Sequence, residues 1–539
     1  MSVRRPILPS MPALGALAAL VAGILAGYFT GSATAWLPVG TVAATLIAYV
    51  AGRHRIAALG LFAVLGMAAY TLARPPRVDI PETGITVAVT AHVAHARQNE
   101  LNQRLVLEVE EGAWKGVRLL VYSHALTPVV GRGDRISAQL HLMPPDVGFK
   151  VPDEFSMVPY CRTHHIAAIA HCGEGAIRVV GYAPDWSDRL SAWREKIADF
   201  IFYRTGLRPD TAEMLCALLT GCDDFLDENI RAEFTTAGLA HVLALSGTHL
   251  AVIAMILGLL LIPLRMVEHR RAAGAVLLAC LWGYVALTGA SPSVVRACLM
   301  VSIVAVGRFA SMSGNPLNSL CVAGILILIF DPEALFMPGF QLSFAATGGL
   351  IFIYPQLKER LQFLRPVLVR EGFAITLAAQ LASLPLLLWH FNQLSLVTFA
   401  ANILLVPAME ILVIAALAGL CLPFAGTYLI YAAGIFMQPL LNAVSFLAAL
   451  PAAAVNVPHL PAACFVLYYI MLAALFNNNW FSKTERRYTA AICSAGITIL
   501  AAYKIFTPQP FTVHFMDVGQ GDAALVQTTD GHNIIVDCG

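Results

Sequence analysis

GLAHVLALSGTHLAVIA, residues 238–254, is apolar over nearly the ~20 residues that a bilayer-spanning helix needs, yet it carries His241, Ser246, Gly247 and His249. Polar groups at such depth are costly and mark a functional element. On an unbroken helix His241 and His249 stand about 80° apart. Ser246-Gly247 between them is a place for the helix to break and show its backbone, which is tolerated only inside protein or along a water-filled cavity. Two readings follow: histidines lining a wet path, or a packed helix pair whose histidines bond to neighbours.

The rest of the chain is lipid-like. Of 539 residues 58% are hydrophobic and 12% charged, against roughly 25% charged in soluble proteins, and the mean hydropathy is +0.72. The net charge of +1 points to no partner. Residues 11–29, 36–51 and 56–73 are apolar runs. Because two runs follow the first directly, it reads as a span and not as a cleaved signal peptide. Further runs begin near 239, 273, 293, 316, 335, 372, 396, 427, 460 and 488, for about 13 spans. Basic residues gather on the cytoplasmic side of short loops. Arg4, Arg5, Arg53 and Arg55 put the N-terminus inside, and 265–271, Arg308, 358–372 and 483–487 then fall on the same side. The expected fold is a polytopic α-helical membrane protein with residues 79–185 and the C-terminal end outside.

Residues 79–185 differ in character. Ile85, Val87 and Val89, then Leu105, Leu107 and Val109, alternate with small or polar residues, the period of half-buried strands. Gly131, Gly133 and Asp134 read as a turn. A small β-barrel of the OB type is the expectation. Between 84 and 183 nine Lys/Arg balance nine Asp/Glu, which argues against strong electrostatic nucleic-acid binding by this part alone. Its histidines show no recurring ligand spacing. Cys161 and Cys172 are either a disulfide of an oxidising compartment or two buried thiols. From 186 to 237, Trp186, Leu190, Trp193, Ile197 and Ile201 share a helical face, suiting either the membrane interface or packing on the barrel. Asp223, Asp224, Asp227 and Glu228 form a solvated acidic surface or a cation site.

Within 238–507 more polar residues interrupt apolar runs. Arg296 follows a proline by about one turn and either faces a passage for phosphate or snorkels to headgroups. Gln341 and Ser343 follow Pro338-Gly339, as in a broken or re-entrant element. Asn402 and Glu410 share roughly one side of a span around Pro407, and an Arg296–Glu410 ion pair is conceivable. Residues 508–539 return to strand-like alternation, including HFMDVGQGDAALV.

GLAHVLALSGTHLAVIA, TGASPSVVRACLM, DPEALFMPGFQLSFAATGG, FNQLSLVTFAANILLVPAME and HFMDVGQGDAALV occur in an order that closely resembles the ComEC family of competence proteins. The resemblance implies an inner-membrane channel of bacteria that imports single-stranded DNA in natural transformation, with membrane lipid around it. His241, Ser246, His249, Arg296, Gln341, Ser343, Asn402 and Glu410 would line or gate the path, and the OB-like domain would guide the strand. It further implies a periplasmic DNA receptor and a cytoplasmic helicase-like ATPase; no GxxxxGK[ST] motif supplies a motor within the chain. A homo-oligomer is compatible with it. Residues 508–539 would open a metallo-β-lactamase-like hydrolase domain, with Asp517, Gln520, Asp522 and Asp537 structural. The HxHxDH ligands do not occur, so no catalysis, no metal site and no cofactor are expected in this chain. Zinc or manganese would belong only to a complete hydrolase domain. The rival expectations are a membrane-anchored metallo-hydrolase of which the anchor is present, and a truncated, non-functional remnant.

Overall fold

The computed structural model describes all residues except 1–11, 31–35, 52, 74–79, 82, 99–102, 113, 124–128, 146–156, 174, 222–225, 244–246, 263–269, 310–314, 423–424, 477–481, 508–510, 518–521, 530–531 and 539. Helices α1 (Pro12–Thr30), α2 (Trp36–Val50) and α3 (His54–Ala73) come first. Strands β1 (Ile85–Gln98), β2 (Gln103–Val109), β3 (Arg118–Ser123) and β4 (Asp134–Met143) follow, then α4 (Met157–Thr163), β5 (Ile166–Cys172) and β6 (Ile177–Tyr182). Next are α5 (Trp186–Asp199), α6 (Pro209–Thr220), α7 (Glu228–Thr236), α8 (Ala240–Leu243), α9 (Gly247–Leu260), α10 (Arg270–Leu287), α11 (Pro292–Phe309) and α12 (Pro316–Phe330). The chain continues through a 3-10 turn (Pro332–Phe336), α13 (Pro338–Phe352), α14 (Tyr354–Arg360), α15 (Val367–Phe391) and β7 (Gln393–Ser395). It ends with α16 (Thr398–Cys421), α17 (Gly426–Ala448), β8 (Ala454–Asn456), α18 (Ala462–Phe476), α19 (Lys483–Phe506), β9 (Thr512–Asp517), β10 (Asp522–Gln527) and β11 (Asn533–Cys538).

These elements form two compact units, one of residues 1–72 and 190–494, the other of 73–189 and 495–539. The first is helical and makes this a membrane protein. Five of its described helices are long and apolar enough to cross a bilayer: 12–29, 54–73, 367–391, 398–420 and 426–448. Further apolar helices have only 10–17 residues, so length alone does not reach the expected count of about 13. The shortening has a local cause between α12 and α13. There Pro332 and Pro338 each sit in a first turn and divide one apolar stretch. At Pro338-Gly339, read from the sequence as a broken or re-entrant element, a new helix starts after the 3-10 turn, and it carries Gln341 and Ser343. A proline at the first helical position loses no intrahelical bond.

Helices α1 and α3 approach at glycine. A Cβ on Gly66 would stand 2.2 Å from the Leu20 carbonyl oxygen, and one on Gly23 2.0 Å from that of Ala63. Small residues let backbones meet where lipid gives no hydrophobic drive for association. The largest apolar core joins α6, α7 and α8 to α16 and α17 through Leu215, Leu218, Phe234, Val242, Met409 and Met437. A smaller one joins α9, α10 and α11 through Leu250, Leu281, Val285, Val294 and Cys298.

In the second unit the order β1-β2-β3-β5-β4 closes through β1–β4, with β6 added on β4. This is the five-stranded barrel expected of an OB-like domain. Strand β1 serves both neighbours: Ile85–His92 pairs with β4 and Ala91–Gln98 with β2, with an irregularity between Val93 and His95 that bends the strand. Alternate residues, among them Val93, Leu107, Val121, Leu140 and Ala170, fill the interior.

The Cys161–Cys172 disulfide is corrected: both thiols are free and buried. Cys172 packs in the barrel interior. Cys161, on α4, packs on Leu120 and Ile166, beside Val106, Tyr122 and Ile169, which alternate with the interior residues. Successive strand side chains point to opposite faces, so the barrel wall separates the sulfurs.

In the same unit β11-β10-β9 form an antiparallel sheet. Gln520 and the side chains of Asp517 and Asp522 lie outside the described residues, while Asp537 sits in β11 with a φ of 55°.

Candidate functional site

Helix α8 ends at Leu243 and α9 begins at Gly247, so the opening sequence yields two helical pieces; Ser246 lies outside the described residues. His241 is exposed on α8. His249, in the first turn of α9, is buried, and its Nε2 stands 4.0 Å from Glu410 Oε2 on α16. Leu250 beside it is fully buried and fixes this turn in the small apolar core. Tyr284 of α10 is buried within electrostatic range of Glu410. Glu410 thus meets a histidine, and the conceivable ion pair with Arg296 is absent among the described contacts.

Arg296 of α11 is 8% exposed. Its guanidinium lies 5.9 Å over the Phe344 ring of α13. A Cβ built on Gly247 would stand 3.5 Å from Nη2, which puts the cation beside the start of α9. Pro292 begins α11, and Val294 and Cys298 bury against α9 and α10, which holds Arg296 in place. It does not snorkel.

The remaining polar residues form two other links. Gln341 Nε2 donates to the Leu335 carbonyl (2.9 Å), and its Oε1 lies 2.8 Å from His390 Nε2 of α15. The amide oxygen only accepts, so His390 is the donor. Asn402 Nδ2 and Gln380 Nε2 each donate to Thr398 Oγ1 at 3.2 Å, and Thr398 Oγ1 donates to the Gly238 carbonyl at 3.5 Å. Ser343 offers its carbonyl to Thr347 Oγ1 (2.8 Å) within α13. His249 and Glu410 are therefore brought together, Arg296 stands by the same turn of α9, and Gln341 and Asn402 serve elsewhere. Sequence reasoning missed Tyr284, Gln380, His390 and Thr398. Gln380 and Thr398 were findable as amide and hydroxyl groups in apolar runs, but nothing local marks them as partners.

In the barrel unit Asp188, at the start of α5, meets His92 Nε2 (3.0 Å) and Arg132 Nε (2.7 Å). It also exchanges backbone bonds with Asp185, each side chain accepting from the other's N–H at 2.8 Å, a capping box. Trp186 and Trp193 remain exposed. On the outer barrel face Arg104 lies 5.2 Å over Tyr160 and 5.9 Å over Tyr122, and Tyr122 stacks on His171 at 5.5 Å. Among the described residues no group of three or more His, Cys, Asp or Glu is placed to hold a metal ion.

Fold and site define a polytopic membrane protein: one unit whose helices enclose ionisable groups, and a second unit that holds a small β-barrel. The family model described as "Competence protein" matches residues 218–481, the part that holds every polar residue of the helical cluster. Residues 218–481 thus carry the region shared by competence proteins. The chain is 28% identical over 391 residues to ComE operon protein 3 of Bacillus subtilis, covering 70% of this chain and 48% of that protein. It is 28% identical over 371 residues to competence protein ComA of Neisseria gonorrhoeae, covering 64% and 48%. An uncharacterized Escherichia coli protein, YcaI, is 27% identical over 320 residues, covering 56% and 41%. The matches thus span about half the length of these relatives or less. No solved structure matches the chain.

Proposed function

We propose that this chain forms the inner-membrane passage by which single-stranded DNA enters the cell during competence. The names of two relatives, ComE operon protein 3 and competence protein ComA, support the setting. The observation that carries the reading is the cluster of His249, Glu410, Tyr284 and Arg296, gathered from four helices into the helical unit. A strand with one charge per phosphate needs a continuous wet path through ~30 Å of hydrocarbon. A lining with few charges favours release over retention, as conduction requires. In this reading the N-terminus is cytoplasmic and the barrel extracytoplasmic, with Tyr122, His171 and Arg104 offering stacking contacts to incoming bases. A DNA receptor outside and a helicase-like ATPase inside would act as partners.

Uptake of fluorescent single-stranded DNA by cells carrying the chain, compared with Glu410→Gln, tests this. Uptake should fall at least about tenfold, the loss of roughly one charge-assisted contact. Equal uptake by the two would overturn the reading.

A further inference from the structure

Resting on that reading, we propose that Arg296 and the N-terminus of α9 form a binding site for a single backbone phosphodiester of the passing strand. The first N–H groups of an α-helix have no partner within the helix, and its dipole makes that end positive. Helix α9 has 14 residues and starts at Gly247. Anions bind such ends readily.

The second observation is Arg296. It is 92% buried by its 8% exposure, and its Nε and Nη1 are enclosed without a hydrogen-bond partner. The guanidinium approaches Gly247, where a Cβ would stand 3.5 Å from Nη2 and 3.3 Å from the Ala297 Cβ. The glycine leaves backbone open beside the cation. Glu410 is engaged with His249, so two positive features converge with no carboxylate within ion-pair distance of the arginine among the described contacts. A buried cation left unpaired is strongly unfavourable. An oxyanion between the guanidinium fork and the α9 amides would satisfy both, and a guanidinium matches two phosphate oxygens at once. One such site, flanked by Phe344 on one side, holds a phosphate briefly and passes it on.

The test uses the full chain in nanodiscs of zwitterionic phosphatidylcholine, with fluorescein-labelled dT10 and a dT10 carrying uncharged methylphosphonate linkages. Arg296→Gln should weaken dT10 binding about tenfold and leave the methylphosphonate oligomer unchanged; Arg296→Lys should fall between. Equal dT10 binding by parent and Arg296→Gln overturns the site. So does a variant that keeps dT10 binding but loses stabilisation by added phosphatidylglycerol, which would assign the arginine to a lipid phosphate. Without DNA, Arg296→Gln should melt at or above the parent's temperature, because an unsatisfied cation is removed; a clear fall would make the arginine structural and overturn the site. If the parent carries no DNA into cells, the uptake reading fails. If it does, and Arg296→Gln binds and carries DNA equally, only the site fails.

Discussion

His249 and Glu410, 161 positions apart by their numbers, meet across 4.0 Å at the junction of α9 and α16, with the histidine 3% and the carboxylate 16% exposed. Their contact joins the two pieces of the molecule that carry its costliest side chains, and it makes the start of α9 sensitive to what happens on α16.

The pair should be energetically coupled. Glu410→Gln and His249→Asn should each destabilise, and the double variant should lose less than the sum, by about 1 kcal/mol. Thermal unfolding of the three variants in nanodiscs measures this; additive losses would show that the residues do not sense each other.

Gly238→Ala should destabilise by about 2 kcal/mol. Its φ is +74°, and the new Cβ would stand 2.6 Å from Thr398 Oγ1. Adding Thr398→Ala should recover only part of the loss, since the backbone strain stays. Full recovery in the melting temperature would assign the whole effect to the clash.

The barrel thiols should react slowly. Burial pushes the Cys161 thiol up to about 11, and burial likewise raises Cys172. Because only the thiolate is nucleophilic, alkylation of the folded protein should rise about tenfold per pH unit up to that range. The protonated thiol favoured by the fold stabilises it below 9.0, and that contribution is lost as pH rises towards about 11. Non-reducing mass spectrometry should find both cysteines free; a joined pair would contradict the separation by the barrel wall.

Asp188→Ala should cost about 2–4 kcal/mol, because His92 and Arg132 both converge on this buried carboxylate. Hydrogen exchange should quicken in β1 and the first turn of α5. Unchanged protection there would mean that the two contacts do not hold the turn.

An alkaline phosphatase fusion after Ala183 should be active if the barrel is extracytoplasmic. An inactive fusion would reverse the orientation inferred from Arg53 and Arg55.

Much of the fold was legible because its signals are local. The alternation through Leu105, Leu107 and Val109 announced a strand, and apolar runs announced helices. Pro338 was read as marking a broken element, and the chain does divide there, because the ring that disrupts a helix interior suits the first turn of a new one. Whether Cys161 and Cys172 pair stayed open, because chain proximity says nothing about which face of a sheet each occupies. Of the site, Glu410, Arg296 and His249 stood out by their cost in lipid, but Tyr284 and Thr398 did not, being ordinary residues until buried beside charge.

What the sequence by itself determined is where the chain must bury, because hydrophobic periodicity and the cost of polar atoms in lipid are properties of short stretches. Only the tertiary structure decided that Glu410 meets His249 and not Arg296, leaving the arginine against Gly247. Partner choice depends on how helices remote in sequence cross, and helix packing is a property of whole faces that no single segment encodes.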